Sequence, residues 1–176
     1  SEENRFSGIV RAEVALARAE AEAGLIPPGA AEAIARNAEH ATLTRAKAIE
    51  EEIHHDMMAI VKAIAEQCGD AGGWVHYGAT SNDILDTATG LQVSGALHLL
   101  EEKLRALLAV LLTRSGETKT LVCAARTHGQ IGVPTTYGLR FAIWASETAR
   151  HLERLGQLTP RVAVGQLTGA VGTQAA

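Results

Sequence analysis

The chain has 176 residues, with 20 acidic and 16 basic side chains, a formal net charge of −4 and 47% hydrophobic residues. This length fits one domain of ordinary size, or one domain with part of another, and the apolar content excludes a disordered or collagen-like chain. The slight acidic excess argues against a dedicated nucleic-acid-binding protein, which usually carries a basic excess.

Cysteine usage and hydropathy indicate a cytoplasmic protein. Cys68 and Cys123 are too few for a disulfide framework and are predicted to be small buried hydrophobes. No apolar run approaches the roughly 20 residues of a membrane span. The polar N-terminus, residues 1–5, does not resemble a signal peptide.

Glycine and proline divide the first part of the chain into helices. The first is predicted over residues 5–23, ending at Gly24 before a Pro27-Pro28 break, and a short helix follows over 29–38. Apolar residues at steps of three and four predict one continuous helix from Thr44 to Gln67. These apolar residues are Ile49, Ile53, Met57, Ile60 and Ile64.

The second part is predicted to hold two longer helices. Residues 74–79 form a loop, Thr80 or Ser81 caps a helix over 81–114, and another helix covers 135–158. A short extended or irregular link over 121–125 and a loop over 126–134 lie between them, and the tail from Arg161 is the least helical part. The seam of the first long helix consists of Ile84, Ala88, Leu91, Leu97, Leu100, Leu104, Leu107 and Leu111. The pattern predicts an all-α bundle.

Three polar clusters interrupt this apolar pattern. His54-His55-Asp56 falls inside a predicted helix, where adjacent side chains point about 100° apart, so only one histidine can face a site. Residues 76–83 place a histidine, hydroxyls and an amide at a helix N-terminus, which suits a carboxylate or phosphate. Residues 126–130 combine histidine, arginine, hydroxyl and amide, which can transfer protons and bind an anion. Surface or core histidines, helix capping and a hydrogen-bonded turn remain alternative explanations.

Four longer strings carry a specific resemblance: HYGATSNDILDT at 76–87, ARTHGQ and PTTYG within 125–138, and GAVGT at 169–173. Together with the His55-Asp56 doublet, they resemble the adenylosuccinate lyases of the fumarase/aspartase superfamily. Gly129 after His128 is similar to the Thr-His-Gly-Gln string of those lyases, whereas fumarases and argininosuccinate lyases typically carry Thr-His-Leu-Gln. The resemblance implies an all-α fold, with an N-terminal helical domain over 1–79 and the first part of a central helical bundle over 80–176.

The resemblance also implies an activity and a set of site residues. The reaction is general acid/base elimination of fumarate from adenylosuccinate, giving AMP, and from the succinylated aminoimidazole carboxamide ribotide of purine synthesis. His128 would be the general acid, and the family requires no cofactor and no metal. The implied substrate-binding residues are Thr80 and Ser81 at the succinyl carboxylates, Thr127 near that end, His55, Asp56 and His76 at the nucleotide portion, and Gln130.

Two family features have no match in the chain. The family's general base is a serine on a Gly-Ser-Ser…Met-Pro…Lys…Asn loop, and its N-terminal Arg-Tyr binds phosphate. We therefore expect a partial lyase chain that is inactive alone. Its expected partners are a small nucleotide and further copies of the chain, in a homotetramer with composite active sites. Neither nucleic acid nor a membrane is expected as a partner.

The sequence leaves several alternative functions open. Within the superfamily, a carboxymuconate cycloisomerase or an argininosuccinate lyase is the runner-up. The His55-Asp56 doublet alone would also fit an HD-type metal-dependent phosphohydrolase. A non-catalytic helical oligomerisation module would account for the long Leu/Ala seam, as would an ordinary core within the chain.

Overall fold

Helices dominate the computed structural model, which describes residues 1–174. The elements are α1 (Glu2–Glu22), α2 (Pro28–Asn37), α3 (Leu43–Ile53), α4 (Asp56–Ala65), α5 (Ser81–Glu117), β1 (Val122–Thr127), β2 (Gln130–Thr136) and α6 (Tyr137–Val162), with short 3-10 helices at Ala38–His40 and Gly69–Trp74. The predicted helical class is confirmed. The antiparallel hairpin of β1 and β2 corrects the loop that the sequence predicted over 126–134.

Packing divides the chain into two compact units. Unit 1 contains residues 1–93 with the C-terminal stretch from residue 163, and unit 2 contains residues 94–162. Helix α5 begins in unit 1 and ends in unit 2. The domain division into 1–79 and 80–176 stays a prediction, because compactness within a single chain does not test it.

The turn between α1 and α2 forms as its glycine and prolines predict. The N–H of Gly24 donates to the carbonyl of Ala21 at 3.1 Å. The N–H of Leu25 donates to the carbonyl of Glu20 at 2.8 Å, which completes a Schellman motif. Gly24 has φ +75°, a left-handed conformation that glycine adopts without steric penalty. Pro28 then opens α2, where a missing N–H has no consequence.

The single helix predicted over 44–67 is wrong, because the chain breaks between α3 and α4. His54 has φ +53°, and its N–H bonds to the carbonyl of Glu50, so it ends α3. His55 is extended, and its Nδ1 accepts the N–H of Met58 at 3.2 Å as the N-cap of α4. Of the predicted apolar stripe, Ile49, Met57 and Ile64 are buried, and Ile53 and Ile60 pack partly buried against the same core.

Unit 1 holds a hydrophobic core built from α1 to α4, the second 3-10 helix and the start of α5. The largest fully buried apolar side chains are Ile9, Ile34, Met57 and Ile64. Gly8 of α1 lies against Ala88 of α5, where an added Cβ would stand 3.5 Å from the alanine Cβ. Small side chains permit such close helix approach. The start of α5 is therefore supported directly by α1.

Unit 2 exposes most of its large apolar side chains. Leu111, Ala145 and Thr148 are buried. Leu100 and Leu107 of the predicted seam are each 47% exposed. The exposed large apolar residues of this unit include Leu99, Val110, Leu112, Leu121, Val122, Ile131, Val133, Leu139, Ile143 and Trp144. This surface is more apolar than a stable isolated unit usually presents to water.

Both long helices run further than predicted. Helix α5 extends to Glu117, three residues past its expected end. Helix α6 continues to Val162, past its expected end at residue 158, and contains Pro160. A proline this close to a helix end removes only one backbone hydrogen bond, so the last turn survives.

The cysteine prediction holds for Cys68, which is buried with Sγ 3.2 Å from the carbonyl of Ile64. Cys123, on β1, is only half-buried. Within residues 1–174, no helix combines the length and the apolar character needed to cross a membrane.

Candidate functional site

His76 lies in the loop before α5 and is held by a residue of α1. Its Nδ1 is 2.7 Å from Oε1 of Glu13. The side chains of His76 and Glu13 are 11% and 0% exposed. The backbone of His76 has φ +64°, which few non-glycine residues adopt. The sequence predicted His76 as a site residue but gave no role to Glu13.

A second carboxyl group, that of Glu20, is buried two turns further along α1. Burial and the negative charge of Glu13 raise the pKa of Glu20 to about 7, and the charge of His76 opposes this rise. Oε2 of Glu13 and Oε2 of Glu20 are both buried without a hydrogen-bond partner among the described residues. His76 therefore borders a pair of buried acidic groups.

Asp83 organises the N-terminus of α5, which begins at Ser81 as predicted. The carboxylate is 1% exposed and accepts the N–H of Thr80 at 3.1 Å. It also accepts the N–H groups of Thr168 and Gly169, at 2.8 and 3.1 Å. Burial opposes ionisation of Asp83, but these N–H donors outweigh it and hold the pKa below its ordinary value.

The same face of α5 binds the C-terminal stretch one turn later. Oγ1 of Thr87 accepts the N–H of Gln166 at 2.9 Å and donates to its carbonyl at 3.2 Å. A Cβ on Gly165 would stand 3.3 Å from Oγ1 of Thr87, so the two segments are in close contact. The structure thus joins the Gly-Ala-Val-Gly-Thr segment, which begins at Gly169, to the start of α5. No local pattern in the sequence predicts these contacts, which join segments about 80 residues apart.

His55 and Asp56 lie at the break between α3 and α4 rather than inside a helix. Their side chains are 52% and 59% exposed, with His55 Nδ1 3.8 Å from Asp56 Oδ1. Nδ1 of His55 is occupied by the N–H that it caps. Arg45 of α3 binds both carboxylate oxygens of Glu66, at 2.7 and 2.9 Å, and so ties α3 to the end of α4.

The tip of the β1–β2 hairpin carries three predicted site residues. Thr127 pairs with Gln130 and closes a two-residue loop of His128 and Gly129. Both loop residues have positive φ, 52° and 76°, the combination that a type I′ turn requires. Glycine adopts this conformation freely, whereas histidine does so with strain. His128 is therefore presented to solvent on a tight turn.

The base of the hairpin is anchored within unit 2. The N–H of Tyr137 donates to the carbonyl of Leu121 at 3.0 Å, which joins the two ends of the hairpin. Ser115 Oγ donates to the carbonyl of Gly138 at 2.9 Å. A Cβ on Gly138 would stand 2.7 Å from both the N of Lys119 and the carbonyl oxygen of Ser115. Only glycine lets the chain pass this close to the end of α5.

The predicted residues fall into three places. His76, Thr80 and Ser81 share one segment of unit 1, His55 and Asp56 occupy the α3–α4 break, and residues 127–130 occupy the hairpin tip of unit 2. Within residues 1–174, no three His, Cys, Asp or Glu side chains are grouped so that they could hold a metal ion. The catalytic and binding roles of the predicted residues stay predictions.

Comparison with known proteins identifies the family. A family model described as Lyase matches residues 1–176. The chain is 49% identical over 178 residues to adenylosuccinate lyase of Methanocaldococcus jannaschii, covering 99% of this chain and 38% of that protein. It is 52% identical over 176 residues to adenylosuccinate lyase of Archaeoglobus fulgidus, covering 100% of this chain and 39% of that protein.

A solved structure supports the fold. The chain matches beta-carboxy-cis,cis-muconate cycloisomerase of Acinetobacter calcoaceticus with a TM-score of 0.90 and 34% identity, over 99% of this chain and 42% of that one. The chain thus spans about two fifths of the length of the curated relatives it matches. Because the family model covers every residue, the chain belongs to the lyase family.

Proposed function

We propose that this chain forms the acid-bearing and carboxylate-binding part of an adenylosuccinate lyase. The observation that carries the proposal is the tight turn of His128 and Gly129, in a chain about half identical to archaeal adenylosuccinate lyases. The cycloisomerase reading receives less support, because that relative is 34% identical. A lyase of purine metabolism would act in the cytoplasm on a small nucleotide.

The proposed reaction breaks the bond between the purine 6-amino nitrogen and the succinyl group. A base removes the proton from the neighbouring succinyl carbon, the electron pair forms the double bond of fumarate, and the nitrogen leaves with the bonding electrons. That nitrogen needs a proton to depart as the neutral amine. An acid, a base and donors for the carboxylates are therefore required.

His128 would supply the proton to the leaving nitrogen. Its imidazole can carry a proton near neutral pH, and its exposed position on the turn leaves the ring accessible to a substrate. Thr127 and Gln130 flank it on the paired strands and would orient the succinyl end. No residue of this chain is proposed as the base.

The start of α5 would hold the succinyl carboxylates. Thr80 and Ser81 offer hydroxyl donors at a helix N-terminus, where unpaired N–H groups and the helix dipole favour negative charge. Asp83 and Thr87 fix this terminus against the C-terminal stretch, so the donors are held in advance of binding. His76 would contact the nucleotide portion from the preceding loop, and the exposed pair at residues 55–56 would orient the same portion.

The proposed active form is a homotetramer with composite sites. In the single chain, Ile131 and Val133 on β2 are 74% and 78% exposed, beside the hairpin tip that carries His128. A two-stranded hairpin with exposed apolar side chains is marginally stable in water and gains stability when another surface covers it. Further copies of the protein would supply that cover. Sedimentation of a protein with the length of the curated relatives should give four times the protomer mass, and a stable monomer would contradict this.

The test of the activity uses a protein that contains this chain and has the length of the curated relatives. Release of fumarate from adenylosuccinate is followed by ultraviolet absorbance, with argininosuccinate and carboxymuconate as competing substrates. The substitution His128→Asn should lower kcat by about a hundredfold or more, the usual contribution of a general acid. Asparagine favours the positive φ of this turn, so the hairpin should persist.

His151→Gln is the matched control, because His151 is exposed on α6 and takes no part in the proposed site. It should leave kcat unchanged. Turnover of adenylosuccinate by His128→Asn at the parent rate would refute the role of His128. Preference for argininosuccinate or carboxymuconate would replace the proposed substrate.

A further inference from the structure

The contact between His76 and Glu13 joins two segments that are 63 residues apart in the chain. The 2.7 Å distance between Nδ1 and Oε1 is short for a hydrogen bond that involves nitrogen, as expected when the acceptor is charged. Neither side chain has appreciable exposure, so water does not compete for the bond. The contact is therefore a fixed feature of unit 1.

The chemistry of the two groups fixes where the imidazole proton lies. When Glu13 is ionised, its carboxylate only accepts hydrogen bonds, so Nδ1 of His76 is the donor in this contact. In the neutral ring, the other nitrogen, Nε2, then carries the lone pair. When the ring is charged, Nε2 carries a second proton that it can donate to a ligand. Either way, Glu13 determines which nitrogen is left for other partners.

The backbone of His76 has an uncommon conformation, and the contacts that hold it also fix the position of the ring. Its φ of +64° is uncommon for a residue with a side chain, and such conformations persist when surrounding contacts hold them. Glu13, anchored on α1, is one of those contacts. Gly78 follows two residues later with φ +67°, so the loop returns to α5 through a residue that accepts this conformation freely.

We propose that Glu13 is a positioning residue for His76, which holds the ring in the Nδ1-protonated form and leaves Nε2 for the substrate. The inference rests on the proposed function, in which His76 contacts the nucleotide portion of the substrate. Glu13 acts only through His76, because its side chain is fully buried. In residues 1–174, the second buried carboxyl group of this face, that of Glu20, makes no hydrogen bond to His76.

Two variants separate the parts of the interaction. Glu13→Gln keeps a carbonyl oxygen that can accept the Nδ1 proton, whereas Glu13→Leu removes the acceptor and fills a similar volume. Glu22→Gln is the matched control, because Glu22 is exposed on the same helix and its change alters the net charge equally. Circular dichroism and sedimentation establish that each variant folds and assembles like the parent.

The first measurement is the tautomer of His76, from nitrogen-15 correlation spectra assigned by the loss of one histidine signal in His76→Gln. The parent and Glu22→Gln should show one Nδ1-protonated ring, Glu13→Gln largely the same ring, and Glu13→Leu a mixture of both tautomers. An unchanged tautomer in Glu13→Leu would overturn the proposal.

The second measurement is steady-state kinetics in the protein with the length of the curated relatives. Kinetic constants per folded site should show kcat/KM about tenfold to a hundredfold lower for Glu13→Leu, the effect typical of removing a group that orients a functional histidine. Glu13→Gln should recover most of the loss. Parent kinetics in Glu13→Leu, with an altered tautomer, would overturn the positioning role while the proposed lyase activity stands. Absence of fumarate release by the parent would instead refute the proposed function and this role with it, although the spectra would still report the Glu13–His76 pair.

Discussion

Replacing Glu20 with glutamine should stabilise unit 1 at high pH and have little effect at low pH. The Glu20 carboxyl is 7% exposed, and burial beside Glu13 raises its pKa from the ordinary 4.5 to about 7. The folded state therefore keeps a proton that the unfolded chain releases between these two values. The contribution of Glu20 to the free energy of unfolding is therefore fully present below pH 4.5, and it is lost as the pH rises through 7.

The size of the effect follows from the two pKa values. One pH unit of difference corresponds to about 1.4 kcal/mol, so ionised Glu20 costs the folded state at most about 3 kcal/mol. Glutamine has nearly the same shape and cannot ionise. The free energy of unfolding of Glu20→Gln, relative to the parent, should therefore rise by up to about 3 kcal/mol between pH 5 and pH 8.

The assay is urea unfolding at pH 5, 6, 7 and 8. Tryptophan fluorescence can report on unit 1 alone in a Trp144→Phe background, because Trp74 then remains as the single tryptophan. Glu22→Gln, an exposed change on the same helix, should show no comparable pH dependence. An offset between Glu20→Gln and the parent that is constant from pH 5 to pH 8 would refute the elevated pKa of Glu20.

Two further substitutions test how the site segments are held. Asp83→Asn should lower the free energy of unfolding by about 2 kcal/mol or more at pH 7, because buried N–H groups lose a charged acceptor. Hydrogen exchange at the N–H groups of Thr168 and Gly169 should then accelerate, and unchanged exchange would contradict these contacts. The difference in the free energy of unfolding between the parent and Asp83→Asn should disappear in acid, where Asp83 is protonated below its lowered pKa. Gly138→Ala should destabilise unit 2 by about 1–3 kcal/mol through backbone crowding against Lys119. Thermal unfolding followed by Trp144 fluorescence in a Trp74→Phe background measures it, and a melting temperature equal to that of the same background without Gly138→Ala would show that the crowding is absent.

Local signals predicted the elements that local chemistry determines. Gly24 and the following prolines end α1 and start α2 through their own backbone preferences. Helix α5 begins at Ser81, where the Asp83 carboxylate in its first turn accepts the N–H of Thr80, and hydroxyl and carboxylate residues favour such a helix N-terminus. These signals lie within a few residues of the feature that they produce, so the chain alone was sufficient.

The α3–α4 break escaped prediction because hydrophobic spacing does not report backbone conformation. The stripe from Ile49 to Ile64 keeps the same steps on both sides of the break, and both of these residues are buried. The positive φ of His54 carries no apolar signature, so the hydrophobic spacing could not reveal it. The β1–β2 hairpin was missed for a similar reason, since a His128-Gly129 loop lacks the asparagine or aspartate that usually marks a type I′ turn.

Glu13 and Glu20 were missed because their surroundings are tertiary. In the sequence, α1 looks like a solvated helix rich in alanine, glutamate and arginine. Yet Phe6, Glu13 and Glu20 are spaced by sevens, which places them on one helical face, and Phe6 is in the core. Two glutamates on the apolar face of a helix are the available signal. The partner that makes Glu13 useful, His76, arrives from a distant segment.

The backbone offers an independent reason to regard two of the predicted histidines as functional. Positive φ for a residue with a side chain costs about 1–2 kcal/mol, and glycine or asparagine would remove most of that cost. His54 has such a φ, but it ends a helix, where the conformation is common. His76 and His128 have it without ending a helix, and each lies within two residues of a glycine that also has positive φ. The His76–Glu13 hydrogen bond and the exposed turn that carries His128 are the two features of these backbones that agree with the roles proposed for the two histidines.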